Sequence, residues 1–540
     1  MSTRSHRLDS ARSKTGCITC KIRRVKCGEE KPRCYRCSST GRRCDYAIAS
    51  SWASKSLSPD RHSDVRSSIF PLSDLSSYPS GQRERRAFEY YFHRAAPALS
   101  GVLDSIFWRG TVLQICRSEP AIWDAIIALS ALYERPPVTD CPPFSLLATA
   151  PVARELRHLQ ALSWYSRSLE SLQKRLQKPT LDPAVALLSC LLFITIELLQ
   201  GNRSAAVTLY RQGMNMIANN DALVAETPRS TILSGEFHTV VAPVFARMGA
   251  LTLILAGVAP IQQSPADVIF NQGFSTLTEA RTALYTLLTA WKLLNQEAKQ
   301  AQTSNYNGEN QIPICNTLYT QKQALESRLL AWHRAFQTIK PDPTLSSTSH
   351  SGVSSTLQMT YLSILIETRT CLAETETDYI AHESDFAHIL SLAPAALAIT
   401  TIADGDSQPP FTFEMGVGLP LFITALKCRS PALRREALRC LRLAPPVQSL
   451  YMCRPSAHVV AALVSLEEEL DPSGRGVMSL EEVLGSSGRR PRADCLVRDF
   501  GVVSSRAKEG RWQAWLKYRR GCVKGGKWMM VLLPEVGAEA

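Results

Sequence analysis

Six cysteines lie between Cys17 and Cys44 in two identical blocks. Thiolate pairs two residues apart are a common way of offering sulfur to zinc. The first block is C-x2-C-x6-C (Cys17, Cys20, Cys27); six residues later it repeats as Cys34, Cys37 and Cys44. Zinc takes four tetrahedral ligands, so two separate ions would need about eight sulfurs. Six suffice only if two of them bridge. Pseudo-symmetry assigns the bridges to the first cysteine of each block, Cys17 and Cys34. One ion then takes Cys17, Cys20, Cys27 and Cys34, and the other takes Cys34, Cys37, Cys44 and Cys17. A single-zinc ribbon on Cys17, Cys20, Cys34 and Cys37 is the simpler alternative, but it leaves the repeated x6 spacing without a reason. A disulfide scaffold would call for a secretory context. The opening MSTRSHRLDSARSKTG is polar with no apolar stretch, so no secretory segment is expected.

The residues between the ligands suggest the use. Cys20 and Cys27 enclose Lys21, Ile22, Arg23, Arg24, Val25 and Lys26, read as a short basic helix tethered to metal at both ends. Two divalent ions and six thiolates sum to a negative cluster, so the protein must supply the positive field that a phosphate backbone requires. Residues 1–46 hold 13 Lys+Arg against 4 Asp+Glu.

The stretch GCITCKIRRVKCGEEKPRCYRCSSTGRRCDY resembles the fungal zinc binuclear cluster found in gene regulators. The likeness covers ligand spacing, the basic first arm, the Lys31-Pro32 loop and the Gly41-Arg42-Arg43-Cys44 ending. It implies a first-arm helix that enters the major groove and reads a CGG triplet. Arg23 and Arg24 would lie nearest the bases, and Lys21, Lys26, Arg42 and Arg43 would contact phosphate. Arg24 stands where relatives frequently carry lysine. Arginine can pair with guanine O6 and N7 in bidentate fashion, so the role is kept and flanking preference is left open.

The remaining chain has the composition of a large folded body. It is 540 residues long and 45% hydrophobic, enough for more than one domain. The net charge of +13 is uneven: residues 1–46 hold +9, residues 489–527 hold 12 − 3 = +9, and the rest 13 − 9 − 9 = −5. Two basic islands on a near-neutral body suit a DNA-binding head on a regulatory body. The other ten cysteines (116, 141, 190, 315, 371, 428, 440, 453, 495 and 522) show no paired spacing and read as reduced, buried thiols of an intracellular protein. Ala184–Leu199 is too short for a membrane span and holds Glu197, while Val240–Val258 is interrupted by Pro243 and Arg247; both are expected to be buried helices.

The chain divides into a basic tail (1–13), the cluster (14–46), a linker (47–80) with 12 serines in 34 positions, a body (81–465) and a C-terminal extension (466–540). The linker lacks the heptads with which relatives dimerise. The fold class expected is a small metal-stabilised head plus a large all-α body joined by a disordered Ser-rich linker. Phe88, Tyr91, Phe92 and Ala95 form one stripe, and Ser118-Glu119-Pro120 starts a helix. Leu162, Tyr165, Leu169, Leu172 and Leu176 share one face, and Ala184–Leu199 pairs with Ser204–Ile217 through Gly201-Asn202. Further amphipathic runs cover about 276–297, 318–337, 356–374 and 413–445, with polar breaks at 219–232, 299–313, 340–355 and 403–411. The body also resembles the fungal-specific transcription factor domain, through ERRAFEYYF (84–92), Phe107-Trp108, SEPAIWDAIIALSALYE, LLFITIELLQGNRSAA (191–206) and LKCRSPALRREALRCL (426–441). That resemblance implies regulation, partner contact and effector sensing, and assigns no residue a chemistry.

Other motifs are weak. His382 and His388 in HESDFAH are six apart, on different helix faces, unlike a zinc-protease pair. Asp471–Glu482 has Asp first, Gly sixth and Glu twelfth, as in a calcium loop, but Ser473 and Arg475 stand where carboxylates are needed. Trp512, Trp515, Tyr518 and Trp528 are interleaved with Arg511, Lys517, Arg519, Arg520, Lys524 and Lys527. That pattern suits either a nucleic-acid platform or a terminal helix and strand with tryptophans packed inward, and the latter is preferred. No enzymatic site is apparent. The expected function is a nuclear, sequence-specific regulator of RNA polymerase II transcription with two zincs per chain. Its expected partners are duplex DNA carrying CGG triplets, the transcription machinery or co-regulators, and a small-molecule effector, with no membrane; its field is a metabolic or secondary-metabolite pathway. The alternative is a zinc-dependent interaction scaffold that binds no specific DNA sequence.

Overall fold

A computed structural model of the chain describes residues 20, 25–30, 33–40, 81–137, 156–176, 183–224, 241–257, 273–304, 311–401, 407–471, 476–506, 512–520 and 527–534. The expected linker (47–80) and tail (1–13) lie outside them. The chain forms two compact units, Met1–Leu72 and Ser73–Ala540.

In the first unit the described helix is α1, Tyr35–Ser38. The second unit is built of helices. It begins with α2 (Gln82–Tyr90), which runs through a π-helical turn, Tyr91–Ala95, into α3 (Ala96–Ser100). A second π turn, Ile106–Thr111, leads into α4 (Val112–Ile115). Then come α5 (Pro120–Glu134), α6 (Leu156–Leu176), α7 (Pro183–Leu199), α8 (Arg203–Val224) and α9 (Ala242–Ala256). Next are α10 (Leu277–Ser304), α11 (Gln311–Phe336), α12 (Ser347–Thr370) and α13 (Glu383–Ala398). The series ends with α14 (Gly418–Lys427), α15 (Pro431–Leu443), α16 (Cys453–Glu467) and α17 (Leu480–Gly485).

Two helices are almost wholly apolar and buried, α5 keeping one buried charge, Asp124, which accepts from Arg167, and they sit at the centre. In α7 the residues from Val185 to Ile196 are buried; in α5 burial extends from Ala121 to Ser130. A helix without a polar face must be surrounded by others. α5 packs along α6 and α7, and α7 pairs with α8 through the Gly201-Asn202 turn, as the sequence indicates. Glu197, the one charge in that apolar run, accepts hydrogen bonds from Tyr165 Oη (2.8 Å) and Asn202 Nδ2 (2.9 Å). Trp332 on α11 is fully buried, stacks on Phe336 and Tyr361, and donates Nε1–H to Ala280 O on α10 at 2.9 Å.

Several expectations need correction. The buried face of α6 is Ala161, Trp164, Tyr165 and Ser168, while Leu169 is 40% exposed. Small residues let the neighbouring helix approach, and that decides the face more than leucine spacing does. The polar break expected at 340–355 ends early, because Ser346 caps α12 by accepting from Ser349 N at 3.1 Å. The run 413–445 is two helices, α14 and α15, parted at Cys428–Ser430 ahead of Pro431. Pro243 opens α9 from its first turn instead of interrupting it.

Strands are few. The two-residue strands β1 (Phe411–Thr412), β2 (Val447–Gln448) and β3 (Tyr451–Met452) form a small sheet in that order. The C-terminal extension, expected as a helix and a strand, is a three-stranded antiparallel sheet: β4 (Val497–Arg506), β5 (Trp512–Arg520) and β6 (Met529–Leu532). Its inner side packs Leu516, Tyr518 and Leu533 against Val459, Leu463 and Leu466 of α16. Among the described residues no helix is long and apolar enough to cross a membrane.

Candidate metal centre

The first unit brings its described cysteines together. Cys20, Cys34 and Cys37 are fully buried and Cys27 nearly so, while the residues around them, Val25, Lys26, Gly28 to Glu30, Tyr35 and Arg36, are exposed. Among the described residues of this unit the buried side chains are thiols, which pack no hydrocarbon core around themselves. The sulfurs of Cys20, Cys27 and Cys34 all lie within 4.8 Å of one another. Cys20 Sγ is 3.7 Å from Cys34 Sγ and 3.8 Å from Cys37 Sγ. A tetrahedral zinc with Zn–S of about 2.3 Å needs sulfurs about 3.8 Å apart. Cys20, Cys27 and Cys34, expected on one ion, therefore fit zinc; Cys20 and Cys37, expected on different ions, stand equally close.

Local structure explains how the chain presents them. Val25 N donates to Cys20 O at 3.1 Å, closing the turn between the first arm's two described ligands. Glu29 takes a positive φ of 62° and its N–H donates to Cys27 Sγ at 3.4 Å, the kind of bond that favours a thiolate. In the second arm α1 starts immediately after Cys34, with Cys37 N and Ser38 N donating to Cys34 O. One helical turn thus places Cys37 beside Cys34. Tyr35 N donates to Glu30 Oε2 at 3.0 Å and fastens the loop between the arms.

Of the expected ligands, Cys20, Cys27, Cys34 and Cys37 are brought together; Cys17 and Cys44 lie outside the described residues. Of the expected DNA contacts, Lys26 is described and exposed. Lys21, Arg23, Arg24, Arg42 and Arg43 lie outside the described residues.

The second basic island is differently disposed. Six of its described cations are held by internal partners. Arg489 bonds Glu468 O and Glu469, Arg490 pairs with Glu383, and Arg492 with Asp494. Arg498 donates to Glu374 O, Arg519 pairs with Asp499, and Arg520 donates to Leu466 O. Arg498 and Arg520 tie the sheet to the body, while Arg519 links its first two strands. Two of the tryptophans do not turn inward as expected: Trp528 is 43% exposed, under Lys517 (4.6 Å) and Arg519 (5.3 Å), and Trp515 is half-buried. Side chains alternate along a strand, and Leu516 and Tyr518 occupy the inward places.

The other weak motifs have structural uses. His382 Nδ1 lies 3.0 Å from Asp385 Oδ2 at the entry to α13. In the calcium-like segment, residues 472–475 lie outside the described residues. Asp471 Oδ2 accepts from Gly476 N, and Glu482 forms a capping box with Ser479 at the start of α17. The carboxylate in twelfth place thus serves a helix end.

Sequence pattern did not reveal the charge buried in the body. Arg434, fully buried on α15, donates to Glu467 Oε2 at 2.6 Å, and Arg435 donates to Glu468 Oε2 at 2.9 Å. Asp104 holds Arg247 and Arg281, each at 2.8 Å, and Arg281 also pairs with Glu414. Arg247 is the charge that interrupts the apolar run of α9.

Comparison with known proteins agrees with this geometry. Residues 15–53 match the fungal Zn(2)-Cys(6) binuclear cluster domain, and residues 86–462 match the fungal specific transcription factor domain. The chain belongs to the fungal specific transcription factor family; it is a zinc-binding, DNA-binding transcription regulator. Over 432 residues, 75% of this chain and 67% of the relative, it is 24% identical to the aspercryptin biosynthesis cluster-specific transcription regulator atnN of Emericella nidulans. It is 31% identical over 138 residues to an uncharacterized transcriptional regulatory protein of Schizosaccharomyces pombe, covering 22% of this chain and 24% of that one. It is also 41% identical over 71 residues to the transcriptional regulatory protein moc3 of the same organism, covering 12% and 14%. The chain thus spans about two thirds of the first relative and a quarter or less of the other two. No solved structure matches it.

Proposed function

We propose that this protein is a nuclear, sequence-specific regulator of RNA polymerase II transcription whose head binds two zincs and recognises CGG-like triplets. The observation that carries the proposal is that the sulfurs of Cys20 and Cys27, which bracket the basic stretch in sequence, lie with that of Cys34 within 4.8 Å of one another. Cys17, Cys20, Cys27 and Cys34 hold one ion; Cys34, Cys37, Cys44 and Cys17 hold the other. Zinc would supply folding energy, about 10–16 kcal/mol for structural sites of this kind. The cluster itself is anionic, so the affinity for DNA is left to the surrounding cations. Arg23 and Arg24 read base edges, at about 1–3 kcal/mol for each good bidentate pair. Lys21, Lys26, Arg42 and Arg43 bind phosphate, which gives a sequence-independent, salt-dependent share of the affinity.

The head occupies 14–46, the linker 47–80, the regulatory body 81–465 and the extension 466–540. The body meets co-regulators and holds a small-molecule effector. Likeness to a regulator of aspercryptin biosynthesis supports control of a secondary-metabolite pathway.

The test is selection from random duplex DNA by the zinc-loaded full chain, with a chelated control. Enrichment of CGG triplets that disappears on chelation is expected. Cys34→Ala, which removes a bridging sulfur, should lose binding more completely than Cys44→Ala. No enrichment at all would replace the regulator with an interaction scaffold.

A further inference from the structure

An antiparallel sheet with one side on the core ordinarily turns polar residues outward. The sheet of β4, β5 and β6 does not. Its inner side holds Leu516, Tyr518, Val531 and Leu533 against α16, and alternation along the strands sends Val503, Trp515, Met530 and Leu532 to the outer side. The register makes those side chains neighbours. Val503 stands opposite Trp515, and Trp515 opposite Leu532; in the next outward row Gly501 stands opposite Lys517, and Lys517 opposite Met530. Trp528 lies beyond that row, beneath Lys517 and Arg519. Gly501 adds no side chain, and the space where one would stand is open. Val503, Trp528, Met530 and Leu532 are all exposed, Met530 by 55%. Three strands and three alternate rows cover about 10 by 13 Å. A contiguous apolar patch rimmed by polar residues marks an interaction surface.

The charge around the face selects its occupant. Residues 499–528 hold 8 Lys+Arg against 2 Asp+Glu, 8 − 2 = +6. Among the described outward residues of the strands the one acid is Asp499, and Arg519 neutralises it. Lys517 occupies the middle strand, and the exposed Lys527 adjoins Trp528 in the chain. A complementary partner buries bulky apolar side chains and brings negative charge to the rim. A second copy does not fit, because joining the two faces would set cations against cations. A nucleic-acid strand fits less well. The aliphatic side chains of Val503, Met530 and Leu532 neither bond phosphate nor stack on bases, and the ring of Trp528 already lies under two cations.

We propose that the outer face of this sheet is a docking surface for an acidic protein segment that carries bulky apolar side chains. It gives the co-regulator contact named above a location and a chemistry, and it rests on that reading. It is independent of the DNA code in the head.

The test is fluorescence anisotropy of the zinc-loaded full chain with labelled synthetic peptides. The first has Leu and Phe along one helical face and Glu on its flanks. The second replaces every Glu with Lys, and the third replaces every Leu and Phe with Ser. The acidic amphipathic peptide should bind saturably, about tenfold or more tighter than either other, and should weaken as salt is raised. Met530→Asp removes an apolar contact and sets a negative charge in the face. Because Met530 is exposed, the melting temperature should stay within about 2 °C, while peptide affinity falls about tenfold or more. Met530→Lys keeps the sign of the field and should lose less. Binding of the acidic peptide undiminished in folded Met530→Asp would overturn the surface and leave the co-regulator reading standing. Equal binding of the three peptides, or no binding by the folded wild type, would overturn the chemistry. A labelled thymidine oligonucleotide is titrated alongside: if Met530→Asp weakens its binding while the peptides bind alike, the face belongs to single-stranded nucleic acid and the proposal fails. CGG enrichment on the same preparation keeps the DNA reading separate, since its loss would refute that reading alone.

Discussion

At the scale of the residue, the same side-chain type has opposite chemistry in the two units. The head cysteines are grouped so that several sulfurs can meet one ion. The described body cysteines are isolated and desolvated. Burial pushes the Cys116 and Cys190 thiols up to about 12 and Cys440 to about 11. Only thiolates attack or bind metal, so these stay inert near neutral pH. After chelation, alkylation followed by peptide mapping should label Cys20, Cys27, Cys34 and Cys37 well before Cys116 or Cys190. Simultaneous labelling would remove the distinction. Asp104 is a second case. Burial alone would raise its carboxyl pKa, but Arg247 and Arg281 more than reverse this and hold it below the ordinary value. Its contribution to stability is fully present above the unfolded value of about 3.9 and is lost as pH falls through the lower folded value. The stability gap between wild type and Asp104→Asn, read from urea midpoints, should therefore be constant above about pH 5 and shrink below about pH 4.

At the scale of the element, the C-terminal sheet shows how alternation divides one strand between two tasks. Leu516 and Tyr518 of β5 enter the core beneath the sheet, while Lys517 and Arg519 lie across Trp528 on the other side. Glu467, buried on α16, accepts from Val497 N at the start of β4 (2.8 Å) and from Arg434. One carboxylate thus ties the sheet to α15 and α16. Gly488, at φ 65°, precedes this strand, and a Cβ there would meet the Arg435 guanidinium at 2.3 Å, so the chain passes only as glycine. Leu516→Ala should cost about 2–5 kcal/mol. Val503→Ala, on the opposite side and 46% exposed, should cost well under about 1 kcal/mol. Chemical denaturation of the two variants checks which face is inward, and equal costs would reverse the assignment.

At the scale of the whole molecule, two units are held by different physics. The first, within Met1–Leu72, gathers buried cysteines that fit zinc, and the second, within Ser73–Ala540, rests on a continuous apolar core running from Ala87 to Val483. Zinc removal should therefore act on one unit only. A chelator is expected to abolish DNA binding while the main thermal transition of the full chain shifts by no more than about 2 °C. Calorimetry with and without chelator checks this, and collapse of the main transition would show that the body also needs metal.

What the sequence by itself determined was whatever depends on local spacing. Two C-x2-C-x6-C blocks define a metal site because ligand count and reach are properties of a short chain. The helices around Phe88, Trp123 and Leu187 are likewise readable from a local period and a start signal. Tertiary structure alone decided which faces are buried and which charges are enclosed. Leu169 is exposed and Ser168 buried because the preceding helix, α5, folds back on that side of α6, where Ser168 Oγ donates to Ala121 O. Arg281 and Arg434 look like surface residues until Asp104, 177 positions away, and Glu467, 33 away, are brought against them. Such features arise from long-range packing, which no local pattern encodes.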